Sequence, residues 1–259
     1  MSQIVVAEYL SLDGVGEDPG QIGAFAHRGW IIPYYDDELA EYMADQLFAS
    51  EALLLGRRTY EGFVSVWPAR AGDPIADRMN SLPKFVASTT LGGPLEWNAT
   101  LLSGDVADEV QRLKQQSGQN ILIYGSQTLV HTLMQRDLID GYQMMVMPLF
   151  LGRGQRFFPE GRDTTTLSLT DVRKTGAGVV MLTYERAAKD PDRSTIAHPA
   201  ESDWWPLRSQ SIQSRDERAF PVSSLTVSSC WPPPAPASRQ SVRSALALDA
   251  RVLDSRTIP

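Results

Sequence analysis

The sequence predicts an α/β domain of three layers, with helices on both faces of a mixed, mostly parallel sheet of about eight strands. Three observations predict it. Short apolar runs alternate with amphipathic helical stretches through the first half of the chain; two of those runs end in a glycine directly before a helix; and three later runs follow one another without a long helix between them. Alternating strands and helices build parallel sheets with crossover helices, while consecutive strands pair antiparallel.

Ile4-Val5-Val6-Ala7 is apolar and β-branched and reads as a buried first strand. A glycine-rich loop, Asp13 to Gly29, follows it. From Asp36 the pattern becomes helical, with Leu39, Met43 and Leu47 on one stripe and Asp37, Glu41 and Asp45 opposite, ending near Ser50. Ala52 to Leu55 is the second strand, stopped by Gly56, and Arg57 to Val64 forms a short helix that Trp67-Pro68 breaks. Lys84 to Ser88 is the third strand and Thr100 to Leu102 a weaker fourth. Asp105 caps a helix whose Val106, Val110 and Leu113 face inward, before Gly118. Asn120 to Tyr124 is the clearest buried strand, and Gly125-Ser126 opens a helix that turns Leu129, Val130, Leu133 and Met134 inward. Tyr142 to Met147, Leu167 to Val172 and Val179 to Tyr184 are the three closing strands. Met144, Met145 and Met147 read as sheet core.

The domain ends near Ala187 to Pro191, where the composition breaks. All 19 glycines lie in residues 1–190, whereas residues 191–259 hold no glycine, no lysine, 9 prolines and 13 serines. Residues 1–187 are expected to form the working domain. Residues 188–259 form a Pro/Ser/Arg-rich tail, with Trp204-Trp205, Pro232 to Pro234 and a short helical pattern at Ser241 to Leu253, and read as disordered or loosely packed.

Charge narrows the partners. Residues 1–190 carry 16 Lys/Arg against 24 Asp/Glu, an acidic body that argues against non-specific nucleic-acid binding. The single cysteine, Cys230, lies in the tail, so the fold is not built on disulfides, as expected of a protein of the reducing cytoplasm. No run approaches a membrane span, and Met1 to Leu10 has no secretory pattern. The expectation is a soluble cytoplasmic protein with neither nucleic acid nor membrane as partner. The three histidines, His27, His131 and His198, are scattered and suggest no metal site. With no Gly-x-Ser-x-Gly pattern, hydrolytic chemistry has no support.

The chemistry is read from the two strand–glycine–helix turns, Leu55-Gly56-Arg57-Arg58-Thr59 and Tyr124-Gly125-Ser126-Gln127-Thr128. Backbone N–H groups at a helix start are unpaired and lie at the positive end of the helix dipole, so they suit phosphate oxygens. Two such ends suggest a pyrophosphate clamp, and Arg57 and Arg58 add an arginine fork for a ribose phosphate. Either turn alone is also what any α/β fold needs to pass from strand to helix. Neither fits the three-glycine dinucleotide fingerprint or the phosphate loop of nucleotide triphosphatases.

Gly56-Arg57-Arg58-Thr59-Tyr60-Glu61 resembles the cofactor segment of dihydrofolate reductases. Leu10-Ser11-Leu12-Asp13-Gly14, and Pro148 to Gly154 with Phe157-Phe158, resemble more closely the reductase domain of riboflavin-biosynthesis deaminase-reductases, over about residues 2–186. The likeness implies a dihydrofolate-reductase-like fold and hydride transfer from NADPH. It places the nicotinamide against the backbone of Val6 and Ala7, the adenosine phosphate near Arg57 and Arg58, and the adenine side near Ser88 and Thr89. It places the pyrophosphate at Gly56, Thr59 and at Gly125, Ser126, Gln127, Thr128 and Leu129, where Ser126 stands in place of a second glycine and is expected to cap the helix. It makes Asp13 the proton source or orienting group, although Asp-Gly also forms turns unaided, and offers Arg153 for a substrate phosphate, although a Gly-Arg-Gly hairpin needs no ligand.

The expected activity is reduction of a C=N or C=O carbon in a heterocyclic or ribosylamino substrate, with a 5-amino-6-(5-phosphoribosylamino)uracil ahead of a pterin. The acidic residues Asp36, Asp37, Glu38 and Glu41 supply no clean match to the pterin-binding carboxylate of dihydrofolate reductases and also read as a solvated helix face. A rival reading is a non-catalytic nucleotide-binding or assembly module. The two differ at Asp13 and Arg153, which a reductase of this kind would turn toward the same pocket as Gly56 and Gly125. Strands near the end of the domain, Tyr142 to Met147 among them, are expected to offer an edge for a homodimer.

Overall fold

A computed structural model describes residues 1–187 except 22, 71, 117 and 159–164. The expectations for the tail, Cys230 and His198 included, lie outside the described residues. One sheet of eight strands runs through the described chain: β1 (Ile4–Ser11), β2 (Ser50–Gly56), β3 (Lys84–Ala87), β4 (Ala99–Leu102), β5 (Asn120–Tyr124), β6 (Gly141–Met147), β7 (Leu167–Lys174) and β8 (Val180–Arg186), in the order β4-β3-β2-β5-β1-β6-β8-β7. Among the described residues five α-helices flank it: α1 (Asp37–Phe48), α2 (Arg57–Val64), α3 (Pro74–Ser81), α4 (Val106–Gln115) and α5 (Gln127–Gln135). The pairs from β4 across to β6 are parallel, and β8 runs antiparallel to both β6 and β7.

Alternation along β1 shows how the strands serve two cores. Val5 and Ala7 join Leu39, Tyr42 and Leu47 of α1 and Met79 of α3 on one face. Ile4, Val6 and Leu10 join Val110 and Leu113 of α4 and Leu129, Val130 and Leu133 of α5 on the other. A two-residue period puts successive side chains on opposite faces, so a strand between two helix layers is apolar throughout. Each wholly buried leucine, such as Leu39, Leu53 or Leu133, contributes about 1.5–3 kcal/mol relative to exposure.

Three helices begin on aspartate caps. Asp36 accepts from the Leu39 amide at 2.9 Å, Asp73 from those of Ile75 and Ala76, and Asp105 from those of Ala107 and Asp108. The α3 helix was not anticipated, although Asp73-Pro74 is a cap followed by proline at the first helical position. Its Met79 packs in the first core, and just beyond it Lys84 is wholly buried. The Lys84 ammonium donates to the Asn80 carbonyl at 2.9 Å and lies 3.9 Å from the centre of the Trp97 ring; burial lowers its pKa to about 8.

The expectation that Tyr142–Met147 offers an edge is corrected. This segment is β6, paired with β1 on one side and β8 on the other, so its backbone groups are spent within the sheet. The outermost strands are β4 and β7.

Candidate functional site

A cleft of about 2210 Å³ opens where the parallel strands β1, β2, β3 and β5 end. That exceeds the roughly 300–1,000 Å³ of ordinary ligand pockets and leaves room for a dinucleotide beside a second small molecule. Open α/β sheets place ligands at the carboxyl ends of their strands, because helix starts point there. The glycine-rich loop, including Gly16 to Gln21 and Gly23 to Ala26, forms part of the wall.

Both strand–glycine–helix turns lie in this wall. Neither α2 nor α5 has a side-chain cap, in contrast to the aspartate caps of α1, α3 and α4. The first amides of these two helices therefore lie at the cleft with no side-chain acceptor among the described residues, the arrangement an anion completes.

Ser126 does not cap α5, and the reason is its backbone. It stands in the left-handed region (φ 61°, ψ 48°) after Gly125 (φ 58°). From there its hydroxyl reaches the other turn, accepting from the Gly56 amide at 2.7 Å and donating to Thr59 Oγ1 at 2.8 Å. A Cβ on residue 56 would come within 3.1 Å of Ser126 Oγ, so glycine keeps the two turns this close. Ser126→Ala, which leaves the Gly56 amide without its partner, is expected to cost about 1–3 kcal/mol. Ser126→Gly should cost less, since it also relieves about 1 kcal/mol of left-handed strain. Urea-unfolding midpoints read this; three equal midpoints would contradict it.

Beside these turns, Arg57 and Arg58 are exposed at the cleft. Arg57 is engaged by Glu61 one helical turn on, at 3.2 Å, whereas Arg58 has no carboxylate partner among the described residues. Ser88 and Thr89 follow β3 and line the same cleft, with Ser88 Oγ accepting from the Thr90 and Leu91 amides. Ala7, Gly125, Gln127, Thr128 and Leu129 line it as well.

Other expected residues lie elsewhere. Val6 is wholly buried in the second core, and only its neighbour Ala7 reaches the cleft. Asp13 is absent from the lining and ties two loops together, accepting from the Ser11 hydroxyl at 2.6 Å and the Leu151 and Gly152 amides at 3.1 and 2.8 Å. The Ser11 hydroxyl, then the two amides, hold its pKa down at about 2, so it retains no proton to give near neutrality. Arg153 is exposed outside the lining, between Gly152 and Gly154 at φ 69° and 111°. The α1 acids are also outside it: Asp36 and Glu38 receive the Ala177 and Gly176 amides of the β7–β8 turn. His27 stacks edge-on against Phe25, and among the described residues no group of three His, Cys, Asp or Glu could hold a metal ion.

One polar residue, Glu8, was missed, and a second, Gln127, was expected only for its place at the helix start and not for its side chain. Glu8, 2 % exposed in β1, and Gln127, at the start of α5, both line the cleft. Glu8 Oε1 accepts from the Tyr9 amide at 3.1 Å, but among the described residues Oε2 has no partner, nor has either amide atom of Gln127. Desolvation pushes the Glu8 pKa up to about 8 against the small opposing effect of the Tyr9 amide. A glutamate inside an apolar strand was the available sign.

Comparison with known proteins agrees with this architecture. The chain is 26% identical over 187 residues to the uncharacterized protein YyaP of Bacillus subtilis (strain 168), covering 70% of this chain and 94% of that protein. It is 28% identical over 179 residues to the uncharacterized protein YwjB of the same organism, covering 69% and 94%. The solved structure of a Shewanella sp. PV-4 protein named for riboflavin biosynthesis superposes with a TM-score of 0.58 at 22% identity, over 72% of this chain and 99% of that one, a likeness of fold. The RibD C-terminal domain family matches residues 2–181, and the chain belongs to that family, with its dihydrofolate-reductase-like, reductase-type fold.

Proposed function

We propose that the protein is a cytoplasmic NADPH-dependent reductase that transfers a hydride to a heterocyclic or ribosylamino substrate, most like 5-amino-6-(5-phosphoribosylamino)uracil reductase. The observation that carries this reading is the pair of uncapped helix starts, bound to each other through Ser126 and aimed into one cleft. The residues present fit a phosphorylated dinucleotide: the amides of α2 and α5 take the pyrophosphate, and the free Arg58 takes a further phosphate. When bound, reduced nicotinamide supplies the hydride, and the protein's part is to align donor and acceptor and exclude water. The glycine-rich loop and Tyr35, Met43 and Leu47 supply a largely apolar wall for that purpose.

A pterin substrate is placed second, because no α1 carboxylate lines the cleft. The positions of Asp13 and Arg153 remove two groups that would have favoured turnover over a binding module, so turnover itself is the test. Full-length protein with NADPH should lose reduced-nicotinamide absorbance on addition of the ribosylaminouracil phosphate, and less with dihydrofolate. Binding of NADPH without turnover of either compound would favour the binding-module reading.

A further inference from the structure

We propose that the Glu8 carboxyl group and the Gln127 side-chain amide form the seat for a neutral carboxamide at the nicotinamide end of the cleft. This rests on the dinucleotide reading above and adds to it Glu8 and a role for the side chain of Gln127.

Position comes from the sheet order. Passing across the strand ends, the cleft meets Ser88 and Thr89 after β3, Gly56 to Thr59 after β2, Gly125 and Ser126 after β5, and then Glu8 on β1. Neighbouring strands are spaced by roughly 4.8 Å, so β1 lies about 10 Å beyond β2. A dinucleotide whose phosphates occupy the two helix starts, with its adenosine toward β3, has its other ring at β1. Along β1, Glu8 shares its face with Val6 and Leu10, the face on which α5 packs. Gln127 opens α5, and the loop passes close over it: a Cβ on Gly16 would come within 2.7 Å of Gln127 Nε2 and 3.4 Å of the Leu10 side chain and the Tyr9 carbonyl.

Chemistry comes from the unpaired atoms. Three buried polar atoms, Glu8 Oε2 and both amide atoms of Gln127, have no hydrogen-bond partner among the described residues. Buried polar groups are nearly always hydrogen-bonded, and each one left unmade is costly, so a ligand group in the cleft that pairs with these atoms is favoured. Burial keeps the Glu8 carboxyl protonated at neutral pH, so it presents one donor and one acceptor, as a primary amide does. The group that satisfies both side chains offers an N–H and a C=O on neighbouring atoms and carries no charge.

The test uses full-length wild type, Glu8→Gln, Glu8→Leu and Gln127→Leu, titrated calorimetrically with NADPH and with adenosine 2′,5′-bisphosphate, which lacks the nicotinamide half. Glu8→Leu and Gln127→Leu are each expected to weaken NADPH about tenfold and to leave the bisphosphate unchanged, while Glu8→Gln keeps NADPH within about twofold. A second arm compares NADP with its 3-acetylpyridine analogue, which keeps the acceptor and loses the N–H donor. Wild type should prefer NADP, and Glu8→Leu should bind the two alike. Unchanged NADPH affinity in both leucine variants, or an equal loss in Glu8→Gln, overturns the seat while leaving the dinucleotide site standing. Failure of wild type to bind either nucleotide overturns the dinucleotide reading and the seat with it.

Discussion

Arg58→Ala lowers NADPH affinity about tenfold to a hundredfold and leaves NADH within about twofold, as expected for a charge-assisted hydrogen bond to a phosphate that only one of the two cofactors carries. Arg57→Ala has a smaller effect. The two arginines are adjacent in sequence and both exposed at the cleft, but Glu61 holds Arg57 from the next turn of α2, whereas no described carboxylate holds Arg58. A free guanidinium gives its donors to a ligand without first losing a partner. The ratio of NADPH to NADH dissociation constants in each variant checks this. Equal losses for both cofactors would remove the reason for preferring the phosphorylated one.

Glu8 makes the second large effect, on stability rather than binding. In the unfolded chain its carboxyl ionises near pH 4.5, and in the fold it keeps its proton to about pH 8. Between those values the folded state binds more protons than the unfolded state, so stability falls as pH rises, by up to about 1.4 kcal/mol per pH unit from this one group, and levels off above pH 8. Burial pushes the neighbouring Tyr9, and Tyr35 and Tyr124 beside it, above the usual tyrosine range, Tyr35 to about 12, so all three stay neutral across this window. Glu8→Gln, which cannot ionise, should therefore gain stability on wild type steadily from pH 5 to pH 8. Urea unfolding at several pH values reads the difference directly. A constant difference between the two proteins would mean that Glu8 is ionised in the fold.

Most of the sheet was legible because its signals are local. The buried strands β1, β2, β5 and β6 each carry a run of four apolar residues, and the turn glycines and aspartate caps mark where helices begin. The α3 helix escaped because it is short and only Ala76 and Met79 are fully buried on it, too few for a period to show. The two glycine turns were legible for the same local reason, and their joint placement on one cleft follows from β2 and β5 pairing in parallel.

What failed was non-local. The strength of the Asp13-Gly14 turn was visible, but nothing in the sequence shows the Leu151 and Gly152 amides arriving at its carboxylate from 138 and 139 residues away. Ser126 reads as a cap until its left-handed backbone and the neighbouring turn are known. Glu8 interrupts an apolar run, which a sequence reading takes as the strand's end. Folding continues the strand to Ser11 because β6 pairs with it residue by residue from Val5 to Ser11, a partner 136 residues on that the local pattern does not show.

The most direct measurement is a calorimetric titration of the full-length protein with NADPH. The two uncapped helix starts and Arg58 predict one site per chain with a micromolar dissociation constant, on the order of 8 kcal/mol of binding free energy. A protein that unfolds cooperatively yet takes up no NADPH at millimolar concentration would contradict the account.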